Sequence, residues 1–283
     1  MMFTLPWIII DPLLNNWLLE DIGRGDRTTA GLLAQSSPKK ATWIAKQQGV
    51  IAGLPVAGRV FNLINPQVNF SALVTEGTLV TPGETIATLD GPLDALLMGE
   101  RVALNLAMRL SGISTLTREY VAKIEDLPTQ LVDTRKTTPG LRILEKYAIQ
   151  VGGGRNHRLG LDDAIMIKDN HIAGSGGIEQ AISQIRQTMP YPLTIEVETS
   201  NLAQVTEAIA LGADIIMLDN MTIPDMVSAV KLIKSQNPHI KIEASGNITL
   251  DNIRAVAKTR VDYISTSAPI TRSSWLDLSM RII

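Results

Sequence analysis

Cysteine is absent from the 283-residue chain. Its absence excludes disulfide bonds, thiolate zinc sites, iron–sulfur clusters and a cysteine nucleophile. No run approaches the roughly 20 uninterrupted apolar residues that a membrane-spanning helix needs. The apolar start, Phe3 to Ile10, lacks a basic leader and contains Pro6, so we interpret it as a strand or helix edge packed on the body. These features predict a cytoplasmic protein without a membrane anchor.

The chain also has little net charge, since 26 Lys and Arg oppose 28 Asp and Glu. No global field is available to hold a polyanion, which argues against extended nucleic-acid binding. The region from Arg135 to Arg158 is nevertheless strongly basic and contains one acidic residue, Glu145. Its six basic residues are Arg135, Lys136, Arg142, Lys146, Arg155 and Arg158. A small, multiply anionic ligand is the simplest partner for this cluster.

From about residue 130, short runs of Val, Ile and Leu alternate with segments of helical periodicity. The predicted strands are 130–133, 164–168, 193–198, 215–219, 241–245 and 263–266. The predicted helices are 141–150, 178–188, 202–211, 224–234 and 250–258. Alternation of this kind predicts a parallel sheet covered by helices, hence an incomplete, open α/β barrel related to the TIM type. An open doubly wound sheet is the alternative.

The first third has a different pattern. Glycine and proline interrupt residues 40–53 and 74–89, which favours short antiparallel strands and tight turns. Residues 93–124 then form a long helical stretch. We therefore predict an N-terminal domain over residues 1–110, a barrel domain over 111–270, and a tail, 271–283, that returns to the N-terminal sheet.

Polar residues end five of the predicted strands: Asp133, Lys168, Glu198, Asp219 and Ser245. Ligands bind at the carboxyl ends of parallel strands, so these side chains are expected to meet at one rim. A solvated strand end explains any one of them alone, but five together with the basic cluster indicate a site.

Two sets of charges are expected at that rim. Arg135, Lys136, Arg158 and Lys168 supply donors for carboxylate or phosphate. Glu198 and Asp219 are suited to hold Mg²⁺ that is bound to a pyrophosphate, or to stabilise a positive charge that develops on a sugar ring. An enzyme that binds a phosphate ester and breaks a glycosidic bond needs both sets, whereas an anion-binding module needs only the cations.

Three smaller sequence features bear on the predicted site. The segment 243–247 is predicted to open a helix whose N–H groups hold a phosphate, with a plain turn as the alternative. The glycines at 152–154 are predicted to form a flexible loop lining the site. His157 and His171 lack a third ligand at metal-site spacing, which argues against zinc.

The motifs together resemble the quinolinate phosphoribosyltransferase family, the type II phosphoribosyltransferases of NAD biosynthesis. The matching segments are 20–28, 99–101, 109–113, 133–140, 152–158, 168–171, 196–198, 218–220 and 243–246. The resemblance implies transfer of phosphoribosyl from phosphoribosyl pyrophosphate to quinolinate, assisted by Mg²⁺. Decarboxylation then gives nicotinate mononucleotide, CO2 and pyrophosphate. It also implies an N-terminal α/β sandwich joined to the open barrel.

The resemblance implies roles for individual residues. Lys136, Glu198 and Asp219 are implied to be catalytic, the two acids facing the ribose and Mg²⁺. Substrate carboxylates and phosphates would be bound by Thr134, Arg135, Lys136, His157, Arg158, Lys168, Ser245, Gly246, Asn247, Thr266, Ser267 and Ala268. Arg101 would complete the neighbouring subunit's site, which implies a homodimer or a larger assembly such as a hexamer.

Three alternatives stay open. A molybdenum-transport-associated paralogue shares much of this motif set, although segments 20–28 and 277–281 favour the NAD enzyme. A barrel lyase or aldolase would use Lys168 or Lys136 as a Schiff-base amine. A phosphate-metabolite sensor would not require Glu198 and Asp219. The chain departs from the family at 267–272, where Arg272 can replace the usual histidine as an anion ligand.

Overall fold

The structure is a computed structural model that describes residues 4–32 and 37–283. Phe3, where the predicted apolar start begins, lies outside the described residues. The chain forms two compact units. The first comprises Met1–Arg118, Thr138–Gly153 and Arg272–Ile283. The second comprises Glu119–Thr137 and Gly154–Thr271.

The helices and strands follow the chain in this order. The N-terminal elements are α1 (Trp7–Ile22), α2 (Arg27–Leu32), β1 (Pro38–Ala45), β2 (Gly49–Val50), α3 (Leu54–Ile64), β3 (Asn69–Ala72), β4 (Leu79–Val80), β5 (Thr85–Pro92) and α4 (Leu93–Ala122). They are followed by β6 (Gln130–Val132), α5 (Arg142–Val151), β7 (Ile165–Ile167), α6 (Asp169–Ser175), α7 (Ile178–Thr188), β8 (Ile195–Thr199) and α8 (Leu202–Ala210). The last are β9 (Ile215–Asp219), α9 (Ile223–Gln236), β10 (Lys241–Ser245), α10 (Ile253–Ala257), β11 (Tyr263–Ser265), α11 (Ala268–Thr271) and β12 (Leu278–Ile282).

The first unit is built on an antiparallel sheet with strand order β12-β1-β5-β3. The tail that the sequence expects to return to this sheet supplies β12, with Ile282 opposite Ala41. Helix α3 covers the sheet through an aromatic cluster, in which Trp43 lies edge-on to Phe61 and Phe70 with ring centroids 6.3 and 5.4 Å away. Trp43 and Phe61 are fully buried, so this cluster is the centre of the first unit's core.

Two helices of the first unit add to the sequence prediction, which left the apolar start open between a strand and a helix edge. The apolar start belongs to α1, whose Ile10, Leu14 and Leu18 are buried at four-residue spacing. Helix α3 was not predicted. Its start depends on a distant residue, because the Glu76 carboxylate accepts the backbone N–H groups of Gly53 and Leu54 at 2.7 and 2.9 Å. Burial raises the pKa of Glu76.

The segment 138–153 was expected in the barrel domain, 111–270, but it clusters with the first unit. Ser114 donates a hydrogen bond to the Ala148 carbonyl at 2.7 Å. The buried Glu145 accepts from Arg109 Nη2 and from the Thr138 backbone N–H, both at 2.8 Å. These side-chain bonds hold α5 in the first unit, although in sequence it occupies the place of a barrel helix.

The second unit is a parallel sheet of six strands in the order β6-β11-β10-β9-β8-β7. This confirms the predicted α/β class. Adjacent strands lie about 4.8 Å apart, so side chains of β8 and β10 would be about 10 Å apart on a flat sheet. A carboxylate oxygen of Glu196 nevertheless lies within 4.8 Å of one of Glu243. Both carboxylates therefore lie on the same face of the sheet. The sheet is also strongly curved, because the short segment 155–158 reaches both of its edges.

The segment after α5 occupies the gap between the edge strands β6 and β7. Arg155 donates its N–H to the Leu131 carbonyl at 2.9 Å and forms a parallel bridge with Val132. On the other side, Arg158 Nη1 donates to the Ala164 carbonyl at 2.8 Å. The barrel is thus incomplete, and a short extended segment takes the place of further strands.

The segment after β10 does not open a helix, as had been predicted for residues 243–247. Gly246 and Asn247 have φ values of +94° and +52°, which a right-handed helix does not allow. Asn252 Nδ2 donates to the Asn247 carbonyl at 2.9 Å, and α10 begins only at Ile253. The alternative, a turn, is what the structure shows.

None of the helices in the described ranges combines the length and hydropathy that crossing a bilayer requires.

The aromatic cluster gives a test of the first unit's core. Phe61→Ala removes a fully buried ring, so the free energy of unfolding is expected to fall by about 3–5 kcal/mol. Leu73→Ala is the control, since Leu73 is 57% exposed and its truncation should change stability by no more than about 0.5 kcal/mol. Urea denaturation followed by fluorescence measures both, and equal losses would contradict this description of the core.

Candidate active site

A cavity of about 440 Å³ opens at the carboxyl ends of the strands of the second unit. Most of the predicted site residues line it: Thr134, Arg135, Lys136, His157, Arg158, Lys168, Glu198, Asp219, Ser245, Gly246, Asn247, Thr266 and Ser267. They come from segments as far apart as 134 and 267, which the curved sheet brings to one place. The roles assigned to them stay predictions.

Three residues named from the sequence lie elsewhere. Ala268 is buried at the start of α11, where its N–H donates to Thr266 Oγ1 at 3.2 Å. Arg272 is exposed in the first unit and does not line the cavity. Arg101 lines a different cavity, of about 500 Å³, formed within the first unit by residues that include Trp17 and Arg109.

Asp133 is buried and positions a segment of the site through a hydrogen bond. It was predicted at the rim but is only 1% exposed, and its Oδ1 accepts the backbone N–H of His157 at 2.8 Å. A buried carboxylate that accepts a backbone donor fixes the local path of the chain. Asp133 therefore holds the start of the His157–Arg158 segment rather than facing a ligand directly.

The guanidinium groups of Arg135 and Arg158 lie close enough to repel each other. Burial, and then the charge of Arg135, lowers the pKa of Arg158. Arg135 Nε is buried and has no hydrogen-bond partner within the described part of the chain. A bound anion would satisfy that donor and relieve the repulsion, so the pair is suited to carboxylate or phosphate.

The acids occupy the same cavity as these cations. Lys168 Nζ lies 3.6 Å from Glu198 Oε2. Burial raises the pKa of Glu198, Lys168 opposes that shift, and the nearby Asp219 adds to it. Asp219 Oδ2 accepts a hydrogen bond from Asn220 Nδ2 at 2.7 Å. Two carboxylates beside each other at the strand ends supply hard oxygen ligands of the kind that Mg²⁺ prefers.

A buried ion cluster that the sequence did not predict lies beneath the cavity. His157 Nε2 is 3.0 Å from Glu196 Oε2 and 3.5 Å from Glu243 Oε2. Both glutamates are 3% exposed. The spacing of residues in the sequence indicated no further metal ligand near His157. In the fold, the carboxylates of Glu196 and Glu243 lie close enough to His157 for all three side chains to bind one metal ion. A usable signal was present, because Glu196 and Glu198 are two residues apart and share one face of β8.

The two carboxylates control the protonation of His157. Burial lowers the pKa of His157, but hydrogen bonds to Glu196 and Glu243 and their charges raise it to about 10. The Arg158 backbone N–H lies 2.7 Å from Nδ1, a contact that favours an unprotonated Nδ1. We expect the imidazolium, because two buried carboxylates face one ring, and its formation displaces the Arg158 N–H that donates to Nδ1.

The fold and the cavity define an α/β-barrel enzyme that binds a multiply anionic substrate beside two carboxylates. Comparison with known proteins narrows this class. Residues 26–111 and 113–281 match the N-terminal and C-terminal domain models of quinolinate phosphoribosyl transferase. The chain belongs to the quinolinate phosphoribosyltransferase family.

Relatives of high identity cover almost the whole chain. A probable nicotinate-nucleotide pyrophosphorylase [carboxylating] of Synechocystis is 62% identical over 98% of this chain and 94% of its own length. The Homo sapiens nicotinate-nucleotide pyrophosphorylase [carboxylating] is 36% identical over 98% of this chain and 93% of its own. The solved NadC structure from Streptococcus pyogenes is 40% identical, with a TM-score of 0.94 over 99% of both chains.

The raised pKa of His157 gives a pH prediction. The chain has three histidines, so ¹⁵N spectra can follow each ring. At pH 8 both ring nitrogens of His157 should be protonated, and Glu243→Gln should lower its midpoint by about one pH unit or more. The exposed His239 is the internal reference. A neutral His157 ring at pH 8 in the unsubstituted protein would contradict the expected imidazolium.

The raised pKa of His157 also makes the stability of the fold depend on pH. The folded-state pKa, about 10, is above the ordinary value of 6.5. The pairing therefore stabilises the fold fully below about pH 6.5, and this contribution is lost as the pH rises through about 10.

Proposed function

We propose that this protein transfers the phosphoribosyl group of phosphoribosyl pyrophosphate to quinolinate and decarboxylates the product. The products are nicotinate mononucleotide, CO2 and pyrophosphate, as in de novo NAD biosynthesis. The observation that carries the proposal is the cavity of about 440 Å³ in the second unit, where cations for two anionic substrates face two carboxylates. Family membership supports it. The cytoplasmic location expected from the sequence stays a prediction.

The bond changes explain why both sets of charges are present. The pyridine nitrogen of quinolinate forms a bond to C1 of the ribose, and the C1–O bond breaks with its electron pair leaving on pyrophosphate. Positive charge develops on the sugar ring, where Glu198 and Asp219 can stabilise it. The ring carbon that loses CO2 then takes up a proton. Arg135, Lys136 and Arg158 neutralise the substrate carboxylates and phosphates.

Mg²⁺ is part of this proposal. Glu198 and Asp219 offer the oxygen donors that such an ion takes together with substrate phosphates. When bound, the ion would neutralise charge on the departing pyrophosphate. The residues of the chain orient the phosphates and hold the ribose between the cations and the two acids.

The Schiff-base alternative fits the site less well. An amine nucleophile is activated in a desolvated pocket or beside another cation. The side chain of Lys168 is 46% exposed and faces the Glu198 carboxylate at 3.6 Å. Lys136 is also exposed. Both lysines are therefore solvated, and Lys168 is paired with an acid, so neither lies in the desolvated pocket that such a nucleophile favours.

An assay with quinolinate, phosphoribosyl pyrophosphate and Mg²⁺ tests the proposal. Lys136→Ala should lower kcat/KM by about 100-fold or more, because an exposed cation that contacts charged substrate is removed. Its stability should change by no more than about 0.5 kcal/mol. The control is Lys231→Ala, which removes an exposed lysine on α9 outside the cavity. Absence of the mononucleotide with the unsubstituted protein would overturn the proposed function.

We also propose that the working unit is a dimer in which Arg101 enters the partner's cavity, as the family resemblance implies. Arg101 lies in the cavity of the first unit, and α1 of the same unit exposes apolar side chains. Ile8 and Leu19 are 88% and 67% exposed. An exposed apolar surface beside an arginine is consistent with burial against a second copy.

Mixing two inactive variants tests the shared site. Arg101→Ala and Lys136→Ala homodimers should each be inactive. Random re-pairing of equal amounts makes half of the dimers mixed, and each mixed dimer has one site free of both substitutions. Activity should return to about one quarter of the unsubstituted value. If the mixture stays inactive while size-exclusion chromatography shows exchange, Arg101 does not act on the partner's site.

A further inference from the structure

We propose that Asn220 is a positioning residue that fixes the Asp219 carboxylate relative to the Asn247 turn at the phosphoribosyl side of the cavity. This inference rests on the proposed function and adds a residue to which neither the charge pattern nor the family resemblance assigned a role. It concerns the second unit alone, where Asp219, Asn220 and Asn247 all line the cavity.

The hydrogen bonds of Asn220 join the ends of two neighbouring strands. Its Nδ2 donates to Asp219 Oδ2 at 2.7 Å, and its Oδ1 accepts from Asn247 Nδ2 at 3.0 Å. Its backbone N–H donates to the Ser245 carbonyl at 2.9 Å. One amide therefore links the acid that ends β9 to the turn that follows β10. Asparagine suits this place because its side chain is both donor and acceptor.

The backbone at this place is held in an unusual conformation. Among the residues that the structure describes, the non-glycine residues with positive φ are Asn220, Asn247 and Arg260. The two asparagines, at +53° and +52°, line the cavity. Asparagine tolerates this region better than most residues, but the conformation persists only where surrounding contacts hold it. Here the contact is between the two asparagines themselves.

Gly246 packs closely against the side-chain amide of Asn220. A Cβ atom on Gly246 would lie 2.2 Å from Asn220 Oδ1, closer than real Cβ contacts allow. Gly246 also has a φ of +94°. The absence of a side chain at 246 thus lets the Asn220 amide close over the turn, so these residues form one packed unit.

Loss of the Asn220 hydrogen bonds should affect the two substrates differently. Asn220 engages one oxygen of Asp219, Oδ2, and so restricts the orientation of a carboxylate that lines the cavity. The family resemblance implies that the turn at Gly246 and Asn247 contacts the 5-phosphate of phosphoribosyl pyrophosphate, and that Arg135 and Arg158 contact the quinolinate carboxylates. Losing the Asn220 amide should therefore misplace groups that act on phosphoribosyl pyrophosphate, while the two arginines stay in place.

Steady-state kinetics of Asn220→Gly test the inference, because glycine keeps the positive φ and removes only the amide. The KM for phosphoribosyl pyrophosphate should rise about 10-fold or more, the size expected for a lost hydrogen bond to a charged group. The KM for quinolinate should stay within about twofold. Asn247→Gly removes one of the two contacts and should give the same split with a smaller rise.

Arg260→Gly is the matched control. It makes the same substitution at the other described non-glycine residue with positive φ, whose exposed side chain lies outside the cavity, and should leave both KM values unchanged. Circular dichroism and thermal unfolding establish that each variant is folded. If Asn220→Gly does not fold, Asn220→Ser carries the test. It adds no charge and its side chain is too short to link Asp219 to Asn247, so the same split is expected.

Two outcomes would overturn the inference alone. Either the unsubstituted protein forms the mononucleotide and Asn220→Gly retains its kinetics, or both KM values rise equally. If the unsubstituted protein forms no mononucleotide, the proposed function fails and the inference fails with it. The first measurement therefore separates the two kinds of failure.

Discussion

The buried interaction of His157 with Glu196 and Glu243 is the constraint on which the site depends. Ionised groups lose hydration when they are buried, so they persist in a protein interior only when paired. Here the partners come from β8, β10 and the segment that bridges the edge strands, and they meet only because the sheet is curved. Removing His157 would leave two buried carboxylates close together at the base of the cavity without their shared counter-charge.

Above this cluster, the cavity holds charges that are incompletely satisfied without a ligand. Arg135 lowers the pKa of Arg158, and Asp219 contributes to the raised pKa of Glu198. Like charges held together store unfavourable energy that an anionic substrate or a divalent cation relieves. Ligand binding should therefore stabilise the folded protein by mass action, and the same arrangement favours substrates with several negative charges. The strained asparagine pair adds an orienting element beside these charges.

The parallel sheet could be predicted closely, because short runs rich in Val, Ile and Leu that end on a polar residue recur between segments of helical periodicity. Observed bounds such as Ile215–Asp219 and Lys241–Ser245 coincide with the predicted ones. Helix α3 could not be predicted, since Glu76, more than twenty residues away, caps its N-terminus. The turn at Gly246 and Asn247 was predicted as a helix start because strand–helix alternation carries no information on positive φ.

Residue types and their spacing establish the chemistry that is available: the cationic motifs, the acids at strand ends, and the order of strands and helices that makes a barrel. These are local properties of composition and periodicity. The pairing of Glu196 with Glu243 around His157, the packing of α5, and the amide that orients Asp219 are visible only in the folded protein. They depend on sheet curvature and on hydrogen bonds between residues distant in the chain, and the spacing of Glu196 and Glu198 shows a shared face but not the partners that meet there.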